Sequence, residues 1–504
     1  MERYIYNLIL LSFSLLLFAN VKVIDTAGCN LAIVEETDTN TYSLKSTSGA
    51  HNWWSSVFNG LDTNNPTTFS LYMDGTGTPE FQGDVRKWEG LYPVFTYGKY
   101  WEYNTYIYYT KNDDGCWVSS DPFAKDRLAS NGITPVQSVI QAELADEFLS
   151  ADGNYWSPWQ EIKDTKINAG LNTFTMAKQF NSPNAAVAMR TPYPYDFQHE
   201  YMTKLKKENI HGVIVHEIGK SIRRHNLYVV EISDPNATVE KLKERRVVLM
   251  YANEDGSEPD GSWVVNGAMN YLIQGIQNND TEVNKILSEV TFLFVNMLDP
   301  VGWSNSTYGA MTYEFNYNDD ETNRQEAVKY ASFINNWCGD REMRLDVVMN
   351  FHNIECNEAS SNLLCPLIDL RQVTYISELN KFILTNLSNI KTSETVWMTN
   401  FALNRFMNWC NEVWGSLQIP YEINSRYPNN RLSMKDLDNL GESFVLVINK
   451  YFSSDSYEKV LPHIDYAYDL HTTTRNDFLT KVSMFDIQTL KNYYTLEGLL
   501  SFTH

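Results

Sequence analysis

The pattern of apolar and polar positions changes near residue 190. Before it, short runs alternate with a period of two. Thr67-Thr-Phe-Ser-Leu-Tyr-Met73 is the clearest, and Tyr92–Tyr97, Tyr103–Tyr109, Asn172–Phe180 and Ala185–Met189 are rich in aromatic, β-branched and small apolar residues. Turn formers such as Asn112-Asp-Asp-Gly115 separate them. Short alternating strands broken by turns predict a β-sandwich over residues 28–190, with one helix at Pro135–Phe148. From 191 onward the runs lengthen and change type. Tyr195–Lys207 predicts a helix, Asn226–Ile232 a strand, Asn236–Glu244 a polar loop and Val247–Met250 a strand, followed by a helix from Trp263. Val283–Val290 predicts a helix, Thr291–Met297 a buried strand, Glu326–Cys338 a helix and Leu345–His352 a strand. Strand alternating with helix predicts an α/β domain over residues 191–504. Residues 353–375 read as a disulfide-pinned loop and 376–455 as mainly helical.

The first residues stand apart. Arg3 precedes an apolar run, Leu8–Phe18, that is short for a bilayer span. This predicts a signal peptide over residues 1–27, cut between Ala19 and Ala27, and so a secreted protein with no membrane span after removal. An uncleaved anchor is the alternative. Six cysteines fit an oxidising compartment. Cys29 with Cys116, Cys338 with Cys410 and Cys356 with Cys365 are the expected bridges. Sequons at Asn236, Asn279, Asn305 and Asn386 agree with a glycoprotein. The composition, 43% hydrophobic and 20% charged, is that of a globular protein. A net charge of −22 excludes nucleic acid as a partner, because such a surface repels phosphate. Oligomeric state is not legible.

Candidate chemistry lies at predicted strand ends: Asp255 with Glu258, then Asn316, then His352. Two acids three apart on a loop are, alone, an ordinary solvated turn. Carboxylates plus an imidazole are also a plausible zinc set. His216-Glu217, followed by Lys220, is half of a zincin helix motif without the second histidine. His211, His225, His463 and His471 read as surface or capping residues, and the many Trp and Tyr residues as sandwich core or a carbohydrate platform.

The order of motifs extends this. Asp255-Gly-Ser-Glu-Pro-Asp-Gly-Ser-Trp263 resembles the His-Pro-Gly-Glu-x-x-Gly-Ser-Trp loop of zinc metallocarboxypeptidases. Val295-Asn-Met-Leu-Asp-Pro-Val-Gly-Trp303 is similar to that family's Pro-Met-Leu-Asn-Pro-Asp-Gly-Val. Glu314-Phe-Asn-Tyr317 stands for Asp-Leu-Asn-Arg, and Asn350-Phe-His352 for Asp-x-His. Pro192-Tyr-Pro-Tyr195 and Tyr494-Thr-Leu-Glu497 also have counterparts. The branch with an N-terminal β-sandwich, which includes the cytosolic carboxypeptidases, is the nearest likeness. The resemblance implies zinc held by Asp255, Glu258 and His352, a peptide or protein C-terminus held by Asn316 and Tyr317, and Glu497 as general base.

Several positions depart from the family. Asp255 replaces a histidine, Tyr317 an arginine and Asn350 an aspartate. No arginine or lysine lies between Gly302 and Tyr317 to stabilise an oxyanion, and the sequence stops soon after Glu497. Two readings follow. One is a binding or structural ectoprotein with a degenerate site and little or no peptidase activity. The other is a working zinc carboxypeptidase with an Asp-Glu-His site.

Overall fold

The structure, a computed structural model, describes residues 21–24, 31–46, 54–72, 91–97, 109–111, 117–119, 159–221, 225–238, 245–256, 258–300, 325–353, 362–364, 373–386, 393–395, 406–407, 410, 414–424 and 432–470. They divide into two compact units, with residues 190–504 forming nearly all of the second.

The first unit holds β1 (Lys22–Ile24), β2 (Leu31–Asp38), β3 (Thr41–Ser46), β4 (Ser55–Asn59), β5 (Thr67–Tyr72) and β6 (Val94–Thr96). It continues with β7 (Tyr109–Lys111), β8 (Trp117–Ser119), β9 (Gln160–Glu161), β10 (Asp164–Asn168), β11 (Thr173–Lys178) and β12 (Asn184–Ala188). Two five-stranded sheets result, ordered β1-β4-β12-β6-β9 and β10-β11-β5-β3-β2, besides a β7-β8 ribbon. Alternation explains the layering: Thr67, Phe69 and Leu71 of β5 point inward. Phe58 of one sheet stacks on Phe69 of the other at 4.3 Å between centroids. The strand-rich N-terminal region is therefore present as expected.

The second unit is a mixed sheet between helices, also as expected. Its strands are β13 (Val213–Lys220), β14 (Asn226–Ile232), β15 (Arg246–Ala252), β16 (Val290–Val295), β17 (Val347–Asn353), β18 (Asn362–Leu364), β19 (Ser393–Thr395) and β20 (Leu417–Ile423). They are ordered β13-β14-β16-β15-β17-β20-β18-β19. The helices are α1 (Tyr195–Glu208), α2 (Pro259–Gln277), α3 (Thr281–Glu289), α4 (Gln325–Arg341), α5 (Val373–Asn386), α6 (Met434–Phe452) and α7 (Asp455–Leu470). β15, β16 and β17 are parallel neighbours and buried along their length. That is why they read as unbroken apolar runs. Val248 and Met250 face a core built with Val264, Leu272, Ile286 and Phe444. Val247, Leu249 and Tyr251 face another built with Tyr330, Ile334 and Trp337 of α4.

Glycines set how closely α2 packs. A Cβ on Gly267 would stand 2.4 Å from Asp438 Cα, and one on Gly441 2.1 Å from the Val264 carbonyl oxygen. Helices α2 and α6 therefore touch backbone to backbone. A Cβ on Gly261 would stand 2.4 Å from the Phe351 carbonyl oxygen, so α2 also rests directly on β17.

Three expectations change. Residues 376–455 are mainly helical among the described residues, as expected, but they also hold an unexpected strand: β20 lies between β17 and β18 and pairs with both. Its Pro420, opposite Asn350, lacks an N–H and argues from sequence against a central strand. α2 begins at Pro259, not Trp263, because proline suits a first helical position. Cys338 and Cys410, expected to be bridged, are buried thiols. They lie in one apolar cluster with Ile334, Phe406 and Trp414. Burial, with Cys338 adding to it, pushes the Cys410 thiol well above its usual range. A thiol kept protonated is a poor partner in disulfide exchange. Cys29, Cys116, Cys356, Cys365 and the Pro135–Phe148 helix lie outside the described residues. Among the described residues, no helix is long and apolar enough to cross a membrane.

Candidate metal centre

The site is built where β15 ends. Asn253 takes a left-handed φ of 58°, and the Glu258 N–H then donates to the Asp255 carbonyl at 3.0 Å. This closes a four-residue turn, so two acids three apart emerge together. Glu258 directly precedes α2, whose N-terminal end carries partial positive charge toward the acids. His352 comes from β17, the neighbour of β15, in a register that pairs Ala252 with Phe351. Both strands present their carboxyl ends here, where open α/β sheets place their ligands.

Asp255, Glu258 and His352 are all buried and offer donor atoms within 4.8 Å of one another. His352 Nδ1 lies 2.8 Å from Glu258 Oε2 and 3.3 Å from Asp255 Oδ2. The structure thus brings together the three residues that sequence marks as ligands. Two carboxylates and one imidazole nitrogen suit a divalent cation, and three protein ligands leave the open position of a catalytic zinc site. Asn316, Tyr317 and Glu497 lie outside the described residues.

Sequence reading missed the groups that hold these ligands. The Asn353 N–H donates to Glu258 Oε2 at 3.1 Å. Its side-chain amide donates to Asp260 Oδ2 at 2.7 Å, and its Oδ1 accepts from the Asp260 N–H at 3.0 Å. Arg190 closes the chain with a buried ion pair to Asp260 at 3.0 Å. Glu254, beside the first ligand in sequence, lies 3.5 Å from His352 Nε2. The one sequence signal for this shell is a cluster of polar residues at the ends of otherwise apolar strands.

Charge within the cluster is unbalanced. Burial pushes Glu258 up to about 7; His352 opposes that shift and Asp255 adds to it. Burial disfavours the charged form of His352, yet Glu258, Asp255 and Glu254 outweigh it and raise His352 well above the histidine range. The cluster therefore retains protons at neutral pH, in places a divalent cation would fill.

Two other histidines are structural. His216 sits on the edge strand β13, not on a helix, and bonds Glu231 at 2.9 Å. His225, expected as a surface or capping residue, is buried and packs against Tyr195 with ring centroids 4.3 Å apart.

Comparison with known proteins agrees with this geometry. Residues 198–359 match the zinc carboxypeptidase family model. No curated protein sequence matches the chain. A metallocarboxypeptidase structure from Burkholderia cenocepacia is similar, with TM-score 0.60 and 12% identity over 86% of this chain and 99% of that one. One from Pseudomonas aeruginosa, in complex with (2-guanidinoethylmercapto)succinic acid, is similar with TM-score 0.58 and 13% identity over the same shares. At such identity the likeness is one of fold. Residues 198–359 thus match the zinc carboxypeptidase family model, within a fold shared with metallocarboxypeptidase structures.

Proposed function

We propose that this chain is a secreted, metal-holding carboxypeptidase-like protein that binds peptide or protein C-termini and hydrolyses them slowly or not at all. The observation behind this reading is the buried convergence of Asp255, Glu258 and His352, with a carboxylate where the resembling family has an imidazole. These three residues would hold zinc, which supplies Lewis acidity toward water and the scissile carbonyl. Asn316 and Tyr317 would orient the substrate carboxylate, and Glu497 would accept a proton. Asp255 adds negative charge, which weakens that Lewis acidity. Tyr317 cannot make the two-point charged grip of an arginine. The stretch from Gly302 to Tyr317 supplies no cation for an oxyanion, a loss that typically costs roughly 10²–10³ in rate.

One observation favours the second reading, a working metallocarboxypeptidase. The ligands are held by a hydrogen-bonded shell through Asn353 and Asp260. Metal analysis of the purified full chain, paired with a C-terminal hydrolysis assay, separates the two. Stoichiometric zinc without turnover is expected. Turnover abolished by Glu258→Gln establishes the enzyme, and a folded chain that takes up no metal defeats both readings.

A further inference from the structure

Residues 190–193 touch helix α2 at three points. Arg190 Nη1 donates to Asp260 Oδ2 at 3.0 Å. The Trp263 indole N–H donates to the Thr191 carbonyl at 3.1 Å, and the Tyr193 hydroxyl donates to Asn266 Oδ1 at 3.4 Å. Positions 260, 263 and 266 are three apart, so they share one face of the helix. The first contact differs from the other two. It is an ion pair, and both of its partners are wholly buried. It also continues toward the metal centre. The Asp260 oxygen that takes Arg190 accepts from the Asn353 amide at 2.7 Å, and the Asn353 backbone N–H donates to Glu258 Oε2 at 3.1 Å.

A buried carboxylate without a countercharge is costly. Without Arg190, Asp260 gains by moving toward water. Asp260 lies in the first turn of α2, two residues beyond Glu258, so that movement shifts Glu258 and loosens its Asn353 partner. Charge alone acts in the opposite direction. Arg190 is a cation near a cation site, and on Coulomb grounds its removal tightens metal binding. The sign of the effect separates positioning from electrostatics.

We propose that Arg190 is a positioning residue of the metal centre: through Asp260 and Asn353 it holds the Glu258 carboxylate in place. The inference rests on the metal-holding reading above. Its test is zinc affinity of the full chain, in competition with a chromophoric chelator and at a temperature where the variants are folded, with the thermal midpoint of the metal-free protein alongside. Arg190→Met is expected to weaken zinc binding about tenfold or more. Adding Asp260→Asn removes the uncompensated charge and keeps an acceptor for the Asn353 amide, so the R190M/D260N chain is expected to return to within about threefold of wild type. Tyr193→Phe cuts the contact at Asn266, away from Glu258. It is expected to lower the midpoint and leave zinc affinity within about twofold of wild type. Two further variants decide the matter even if R190M does not fold. Arg190→Lys keeps the charge but loses the planar fork, and is expected to bind zinc about threefold more weakly or worse. Asn353→Ala breaks the relay with no change of charge, and is expected to lose about tenfold. Unchanged or tighter binding by R190M, no recovery in the double variant, a loss in Y193F equal to that in R190M, or wild-type affinity in R190K or N353A overturns the proposal and leaves the metal site standing. A wild-type chain that takes up no zinc overturns the metal-holding reading, and this inference falls with it.

Discussion

One imidazole cannot neutralise three buried carboxylates, and the pH response of the metal-free protein follows from that. Glu258, raised to about 7, holds in the folded state a proton that the unfolded chain releases at ordinary carboxylate pKa. Its contribution to stability therefore falls as pH rises from about 4.5 to 7. His352 is also raised, so its contribution is full below the ordinary histidine range and is lost at higher pH. Both shifts have one sign. The thermal midpoint of the metal-free chain is expected to drop by several degrees between pH 5 and pH 7.5. Saturating zinc should flatten the curve, and Glu258→Gln should reduce its slope; a midpoint that rises over this range contradicts the assignment. Surface residues allow another check. Asn236 and Asn279 are exposed, whereas the Asn386 amide donates to the Phe382 carbonyl at 2.8 Å and accepts from Lys450 at 2.5 Å. In chain expressed through a secretory pathway, peptide mass spectrometry after glycan release should show glycans on Asn236 and Asn279 and none on Asn386. At this scale the convergence of three residues was legible, because Asp255 and Glu258 share a turn and His352 lies at the end of an apolar strand. Glu254 and Asn353 were not, since their partners lie 96 and 95 residues away in sequence.

Helix α2 is the element on which site geometry depends. Its first turn carries Asp260, the Asn353 clamp and the Gly261 contact with β17. Gly261→Ala must displace that turn and Glu258 with it. It is expected to weaken zinc binding about tenfold and to destabilise the fold by about 1–3 kcal/mol, measured by chelator competition and denaturant melts. Gly441→Ala, at the crossing of α2 and α6, should cost a similar stability through overpacking; a neutral result would mean the helices separate easily. Buried parallel strands were legible as apolar runs, and helices as amphipathic ones. β20 was hidden by Pro420. β13 was hidden by polar His216, Glu217 and Lys220, because an edge strand does not have to be apolar.

Across the whole molecule, a net charge of −22 predicts that the chain passes through DNA- and heparin-coated resins at physiological salt. Retention there would contradict the exclusion of nucleic acid. The change of rhythm near residue 190 anticipated a strand-rich region followed by a sheet between helices, because alternation and burial leave different traces in sequence. The adjacency of β15 and β17 has a further consequence. Glu258 and His352 are 94 residues apart along the chain, yet 2.8 Å apart in space. No local segment can assemble the site, so it exists only once the central sheet has closed. Metal uptake is therefore a readout of complete folding: a newly made or partly melted chain should fail to capture the ion, and a bound ion certifies that the sheet beneath it is whole.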